Sequence, residues 1–125
     1  MSKAPAGRKA GATFETARRI ALALPEVTEG TCYGTPAFRV RGKLFARLKE
    51  DGESLVVRID FHTREMLTSA DPEIFYVTDH YLAYPWILVR LPAVRREVLR
   101  KAIEDAWRRS APRQLVGAFD RSRER

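Results

Sequence analysis

The sequence is poor in the residues from which most catalytic and metal sites are built. It holds a single cysteine, Cys32, and two histidines, His62 and His80. One cysteine excludes an internal disulfide, a usage that suits a reducing cytoplasm. Neither the Asp60/His62 pair nor the Asp79/His80 pair has a recognised zinc-ligand spacing, and no second sulfur accompanies Cys32. Nucleophilic catalysis needs a serine or cysteine beside an oriented base. Cys32 and His80 fall in separate loops that can meet in space; against that pairing, Cys32 reads first as a small half-buried structural thiol. The Gly30-x-x-x-Gly34 spacing lacks the following Lys and Ser/Thr of a phosphate-cradling loop. Long apolar runs are missing too. The longest uncharged apolar stretch, Tyr81 to Val89, is too short to cross a bilayer and contains Pro85. The first residues have no apolar core, so no secretory signal is expected. These absences predict a soluble cytoplasmic protein that is not an enzyme and uses no metal, cofactor or membrane.

What is present is charge, unevenly placed. The formal net charge is +7. Residues 13–107 hold equal numbers of basic and acidic residues, and the excess lies at the two ends. Lys3, Arg8 and Lys9 stand near the start without a carboxylate. Arg108, Arg109, Arg113, Arg121, Arg123 and Arg125 stand near the end against Asp120 and Glu124. A basic balance points toward a polyanionic partner, but here the neutral centre has to be judged by how its charges are arranged.

A length of 125 residues fits one domain able to bury a core without staples. Residues 1–12 read as a flexible basic arm, 13–118 as a single domain and 119–125 as a frayed basic tail. Thr13 can cap a helix whose apolar residues Phe14, Ala17, Ile20, Ala21 and Leu24 recur at helical spacing before Pro25. Glu26 to Thr35 reads as a loop. Pro36–Val40 and Lys43–Lys49 alternate as strands around the tight turn Arg41-Gly42, and Ser54–Asp60 follows the Asp51-Gly52 turn. In the second of these strands, alternation sets Leu44, Ala46 and Leu48 against Lys43, Phe45, Arg47 and Lys49. Thr63–Ala70 reads as a helix, Ile74–Val77 and Trp86–Leu91 as strands, and Val94 to Ala106 as the buried stripe of a last helix. The predicted fold is α+β: a two-layer sandwich with an antiparallel five-stranded sheet in the order α-β-β-β-α-β-β-α.

Three stretches carry a family resemblance: Cys32-Tyr-Gly-Thr-Pro-Ala-Phe-Arg-Val-Arg-Gly-Lys-Leu-Phe-Ala-Arg, then Phe75-Tyr-Val-Thr-Asp-His-Tyr, and Tyr84-Pro-Trp-Ile-Leu-Val-Arg-Leu. Together, from about Phe14 to Val116, they resemble the MmcQ/YjbR family of small bacterial proteins. Gly34, Pro36, Phe38, Gly42, Lys43 and Phe45 stand at the family's spacing. The resemblance implies the element order above, a fold similar to secretion chaperones, and DNA binding through wing-like elements.

Two clusters are candidates for function. No acid occurs between Thr31 and Lys49, so Arg39, Arg41, Lys43, Arg47 and Lys49 form a locally basic hairpin, with Phe45 expected on the same face. Its alternative is a solvated outer face that discourages edge pairing. The second cluster, Tyr33, His80, Tyr81, Tyr84 and Trp86, supplies aromatic rings for stacking bases or lining a pocket. Its alternative is a loop packed under the sheet edge. The first expectation is a nucleic-acid-binding protein of low sequence specificity, contacting DNA phosphates through the hairpin and the C-terminal arginines. The other is a protein-interaction or adaptor module without catalysis.

Overall fold

The computed structural model describes residues 11–124. Its helices are α1 (Phe14–Leu22), α2 (Phe61–Ala70), α3 (Arg96–Ser110) and α4 (Arg113–Arg123), and its strands are β1 (Val27–Cys32), β2 (Thr35–Val40), β3 (Lys43–Leu48), β4 (Ser54–Arg58), β5 (Phe75–Tyr76) and β6 (Trp86–Arg90). A short 3-10 turn, Asp79–Tyr81, stands between β5 and β6. All neighbouring strands are antiparallel in the spatial order β1-β2-β3-β4-β6-β5. The α+β layering is as expected, but the sheet has six strands rather than five.

The additional strand is β1, which occupies the stretch expected to be a loop. Its residues Thr28, Glu29, Gly30 and Thr31 are exposed, so no apolar alternation marks it. It is an edge strand held by its ladder to β2. Type I′-like turns join it to β2 and β2 to β3, with positive φ at Tyr33 (54°) and Gly34 (80°), and at Arg41 (52°) and Gly42 (82°).

One face of the sheet carries the helices. Ala17, Ile20 and Ala21 of α1 and Leu99, Ile103, Ala106 and Trp107 of α3 pack on Phe38, Val40, Phe45, Leu55, Val57, Ile87 and Val89. α1 starts where the sequence predicts: the Thr13 hydroxyl accepts from the Thr16 amide, and the Thr16 hydroxyl accepts from the Thr13 amide. Gly11 and Ala12, placed in the flexible arm by the sequence, donate backbone hydrogen bonds to Val94 and Leu91. The rest of that predicted arm, residues 1–10, lies outside the described residues.

The C-terminal stretch read as frayed is helical through Arg123. Two contacts explain this. Phe119 meets the buried Trp107 edge-on at 5.0 Å between centroids, and Asp120 accepts two hydrogen bonds from Arg108. Trp107 is itself fixed by donating from Nε1 to the Pro25 carbonyl.

Candidate functional site

A β-bulge decides which side chains reach the helix-free face. Phe38 pairs with Ala46 and Arg39 with Leu44, which leaves Phe45 as the extra residue in β3. Phe45 and Ala46 therefore both enter the core, while Leu44 and Arg47 both turn to the opposite side. Strict alternation places Phe45 beside the hairpin cations. The structure corrects this, since Phe45 is fully buried under the helices.

Strand pairing then lays out the open face in rows. Ala37, Arg47, Val56, Leu88 and Tyr76 face one another across five strands. Two residues along, Arg39, Leu44, Arg58 and Trp86 form a parallel row on the same face. In the other direction lie Thr35, Lys49, Ser54 and Arg90. Every ionised strand residue on this face is an arginine, with Lys49 at the end of β3, and none is a carboxylate. Three of the arginines lie over aromatic rings. Arg47 is 5.3 Å from the Tyr33 centroid, Arg58 is 5.1 Å from Trp86, and Arg90 is 4.0 Å from Tyr76.

The basic hairpin does not form one surface. Arg41, at the turn, forms an ion pair with Glu26, which carries its own positive φ. That hydrogen bond lowers the Glu26 pKa and raises that of Arg41. Lys43 pairs with the core residue Val40, so the pleat points it to the helix side. Arg47 is only 3% exposed and forms an ion pair with Glu50. Arg39 lies across β1: a Cβ on Gly30 would sit 3.5 Å from its Nη1, and its Nη2 donates to the Thr31 carbonyl. Among the described residues, Arg39, Lys43, Lys49 and Arg58 form no ion pair. The C-terminal arginines lie in the helical layer. Arg108 pairs with Glu104 and Asp120, Arg123 with Glu104, and Arg109 with Asp60.

The aromatic residues do converge. Tyr33, His80, Tyr81, Tyr84 and Trp86 line one cavity of about 320 Å³, together with Cys32, Leu44, Arg47 and Val56. Tyr33 comes from the β1–β2 turn, Trp86 opens β6, and His80, Tyr81 and Tyr84 come from the segment between β5 and β6, which folds over the open face. That segment is tied to the sheet by Arg47, whose Nη1 donates to the Tyr81 hydroxyl at 2.6 Å. Burial works against the Arg47 charge, and the bonds to Glu50 and Tyr81 outweigh it, leaving the guanidinium pKa raised. A second guanidinium holds the segment from behind. Arg64 of α2 donates to the carbonyls of Tyr81, Leu82, Tyr84 and Trp86. Arg58 and Arg64 are the residues that site prediction missed. The alternation of Ser54, Val56 and Arg58 was a usable signal for Arg58. Arg64 left none, because its acceptors lie 17 to 22 positions away.

Among the described residues no group of three or more His, Cys, Asp or Glu is placed to hold a metal ion. No described helix is long and apolar enough to cross a membrane.

Residues 22–109, more than half of the chain, match the family model described as YjbR. Uncharacterized protein Rv2570 of Mycobacterium tuberculosis and uncharacterized protein Mb2600 of Mycobacterium bovis are each 36% identical over 69 residues. The match covers 54% of this chain and 54% of each relative, so the chain spans about half the length of the curated relatives it matches. The crystal structure of Deinococcus radiodurans protein DR2400, described as the family-model domain DUF419, is similar with a TM-score of 0.67. The likeness covers 77% of this chain and 76% of that one at 22% identity, which identifies a common fold.

Proposed function

We propose that this chain, which belongs to the YjbR family, is a non-catalytic nucleic-acid-binding protein of low sequence specificity that uses the helix-free face of its sheet. One observation carries the reading: the ionised strand positions of that face are all cationic, and three of its arginines already stack on aromatic rings. A guanidinium suits phosphate because its donors form a fork and its plane stacks on rings. Tyr33 and Tyr84, 77% and 58% exposed, offer π-faces beside those cations. Cationic positions interleaved with exposed rings are what an unpaired strand requires, since backbone and bases are held by different groups. The hairpin edge and the C-terminal arginines contribute less, because carboxylates already neutralise Arg41, Arg108, Arg109 and Arg123.

Arg39, Lys49 and Arg58 remain to meet phosphates on the open face. Three such contacts to a single strand give log affinity against log salt a slope of about −2, at roughly 0.7 per phosphate. Five contacts to a duplex along the hairpin would instead give about −4 to −5. The test is fluorescence anisotropy of a labelled single-stranded oligonucleotide over a series of salt concentrations. The shallow slope is expected for the wild type, with binding lost in the Arg39→Glu/Arg58→Glu variant and kept in Arg41→Glu. A wild-type protein that binds no strand at low salt refutes the reading.

A further inference from the structure

The helix-free face carries a small apolar centre of its own, and its packing is incomplete. Val56 and Leu88 turn away from the helices yet are buried. Over Val56 a cavity of about 320 Å³ remains, bounded by Leu44 and the rings of Tyr81, Tyr84 and Trp86. Protein interiors are close-packed, with few voids larger than a water molecule. Apolar space of this size, reaching the surface at the exposed Tyr33 and Tyr84, is therefore shaped for an occupant. It lies at the lower end of small-ligand volumes. A second cavity, of about 500 Å³, adjoins the first and shares Tyr33, Arg47, His80 and Tyr81 with it. The residues it adds are Lys49, Glu50 and Thr78, so this side is polar. Glu50 is paired with Arg47 at 2.8 Å, whereas Lys49 forms no ion pair among the described residues. Glu50 also feels the charge of Lys49, but two cations face one carboxylate, which leaves one positive charge in excess.

We infer that the joined cavities bind a free small molecule made of a flat aromatic ring and one carboxylate. The ring lies between Leu44, Val56 and Trp86, and the carboxylate meets Lys49 beside the Thr78 hydroxyl. Tyrosine and tryptophan rings offer both edges and faces to an aromatic guest. One excess positive charge matches a single negative one. A phosphate monoester, with nearly two negative charges at neutral pH, would set the second against Glu50. Such a ligand is separate from strand binding, and its test involves no oligonucleotide.

Indole-3-acetate, indole-3-acetamide and 3-indoxyl phosphate are the probes, titrated by calorimetry into the full chain at neutral pH. They share one ring system and present a single negative charge, none, and nearly two. The carboxylate is expected to bind about tenfold more tightly than the amide, the size of one hydrogen bond to a charged donor. It is expected to bind more tightly than the phosphate as well. Lys49→Met should bring the carboxylate and the amide level. The indole N–H signals of the two tryptophans in a nitrogen-15 NMR spectrum locate the site. Trp86 lines the cavity and should shift, while the buried Trp107, which donates to Pro25, should not. That readout needs no variant, so it decides even where Lys49→Met fails to fold. Equal binding of acid and amide, tightest binding of the phosphate, or a preference kept by folded Lys49→Met each overturn the inference. So do an unmoved Trp86 signal and a failure of every probe to bind at millimolar concentration. In each case strand binding keeps its own test in the salt slope.

Discussion

In a Tyr33→Asn variant the β1–β2 turn gains a residue better suited to its backbone while the cavity loses a wall. Tyr33 has a φ of 54° and is followed by Gly34 at 80°, the pair of positive values that a two-residue hairpin turn requires. Left-handed backbone costs an ordinary L-residue roughly 1–2 kcal/mol, and asparagine is among the few that tolerate it. The side chain returns little of that cost to the fold, because it is 77% exposed. Its one strong contact is the cation–π approach to Arg47, worth roughly 0.5–1 kcal/mol at an exposed site. The two terms nearly offset, so stability should change by about zero to +1 kcal/mol in favour of the variant. Binding should respond far more. A base stacked on an aromatic side chain contributes about 1–3 kcal/mol, which is roughly 5- to 150-fold in Kd. Urea unfolding followed by tryptophan fluorescence gives the first quantity, and oligonucleotide anisotropy gives the second. An unaltered Kd in a variant that folds normally would refute the role of Tyr33. A destabilised variant would show that the ring serves the fold instead.

Arg64→Met removes the donor shared by four carbonyls, so the amides of residues 80–86 should exchange hydrogen faster while those of α3 keep their protection, as hydrogen-exchange mass spectrometry can show. Asp60 caps α2, accepting from the Thr63 amide and hydroxyl and from Arg109, and these bonds hold its pKa down at about 2 against an ordinary 3.8. A depressed carboxylate pKa means the unfolded chain binds the proton first, so this contribution is complete above pH 3.8 and is lost as pH falls through about 2. Asp60→Ala should therefore lower the unfolding free energy from urea titration at neutral pH by about 0.5–2 kcal/mol, the worth of a helix cap, and flatten this part of the acid dependence. Trp107→Ala opens a hole in the core and strips Phe119 of its partner, and calorimetry should find it about 3–5 kcal/mol less stable, with α4 loosened.

Local pattern carried much of the fold into the sequence, and the places where it failed share a physical cause. Thr13 followed by Phe14, Ala17, Ile20 and Ala21 marks a helix because cap and stripe are both short-range signals. Arg41-Gly42 marks a turn for the same reason. β1 was illegible because an edge strand takes its order from the neighbour it pairs with, and Thr28–Thr31 bury nothing that alternation could reveal. The bulge at Phe45 was illegible because one inserted residue reverses the parity on which face assignment depends. That single residue separated the expected hairpin cations, sending Lys43 to one side and Arg47 to the other. In α4 the apolar residues Leu115, Val116 and Phe119 do have helical spacing. They are flanked by charge, however, and the partners that hold the helix, Trp107 and Arg108, are supplied by α3. The aromatic cluster was legible by residue type, since its members lie close in sequence except Tyr33. What gathers them, Arg47 beneath and Arg64 behind, depends on contacts across the sheet.

The zero charge of the central segment does not argue against a positive surface, because a sheet sorts charges by face and a sum does not. Glu15 and Glu29 meet Arg18 beside α1, Asp60 meets Arg109 between α2 and α3, and Glu104 with Asp120 meets Arg108 and Arg123 between α3 and α4. These carboxylates lie in or against the helical layer, where each is paired with a cation. The open-face strand positions contain arginine and no acid, while Glu50, Asp51 and Glu53 stand at the rim, Glu50 acting on both Arg47 and Lys49. An oligonucleotide lying on that face meets Arg39, Lys49 and Arg58 directly, whereas most of the ion pairs lie behind a buried core, and a separation of more than a Debye length, roughly 8 Å at physiological salt, weakens what reaches through. Net charge governs attraction at long range. At contact, the parity of each strand governs it, and here that parity is set by Phe45.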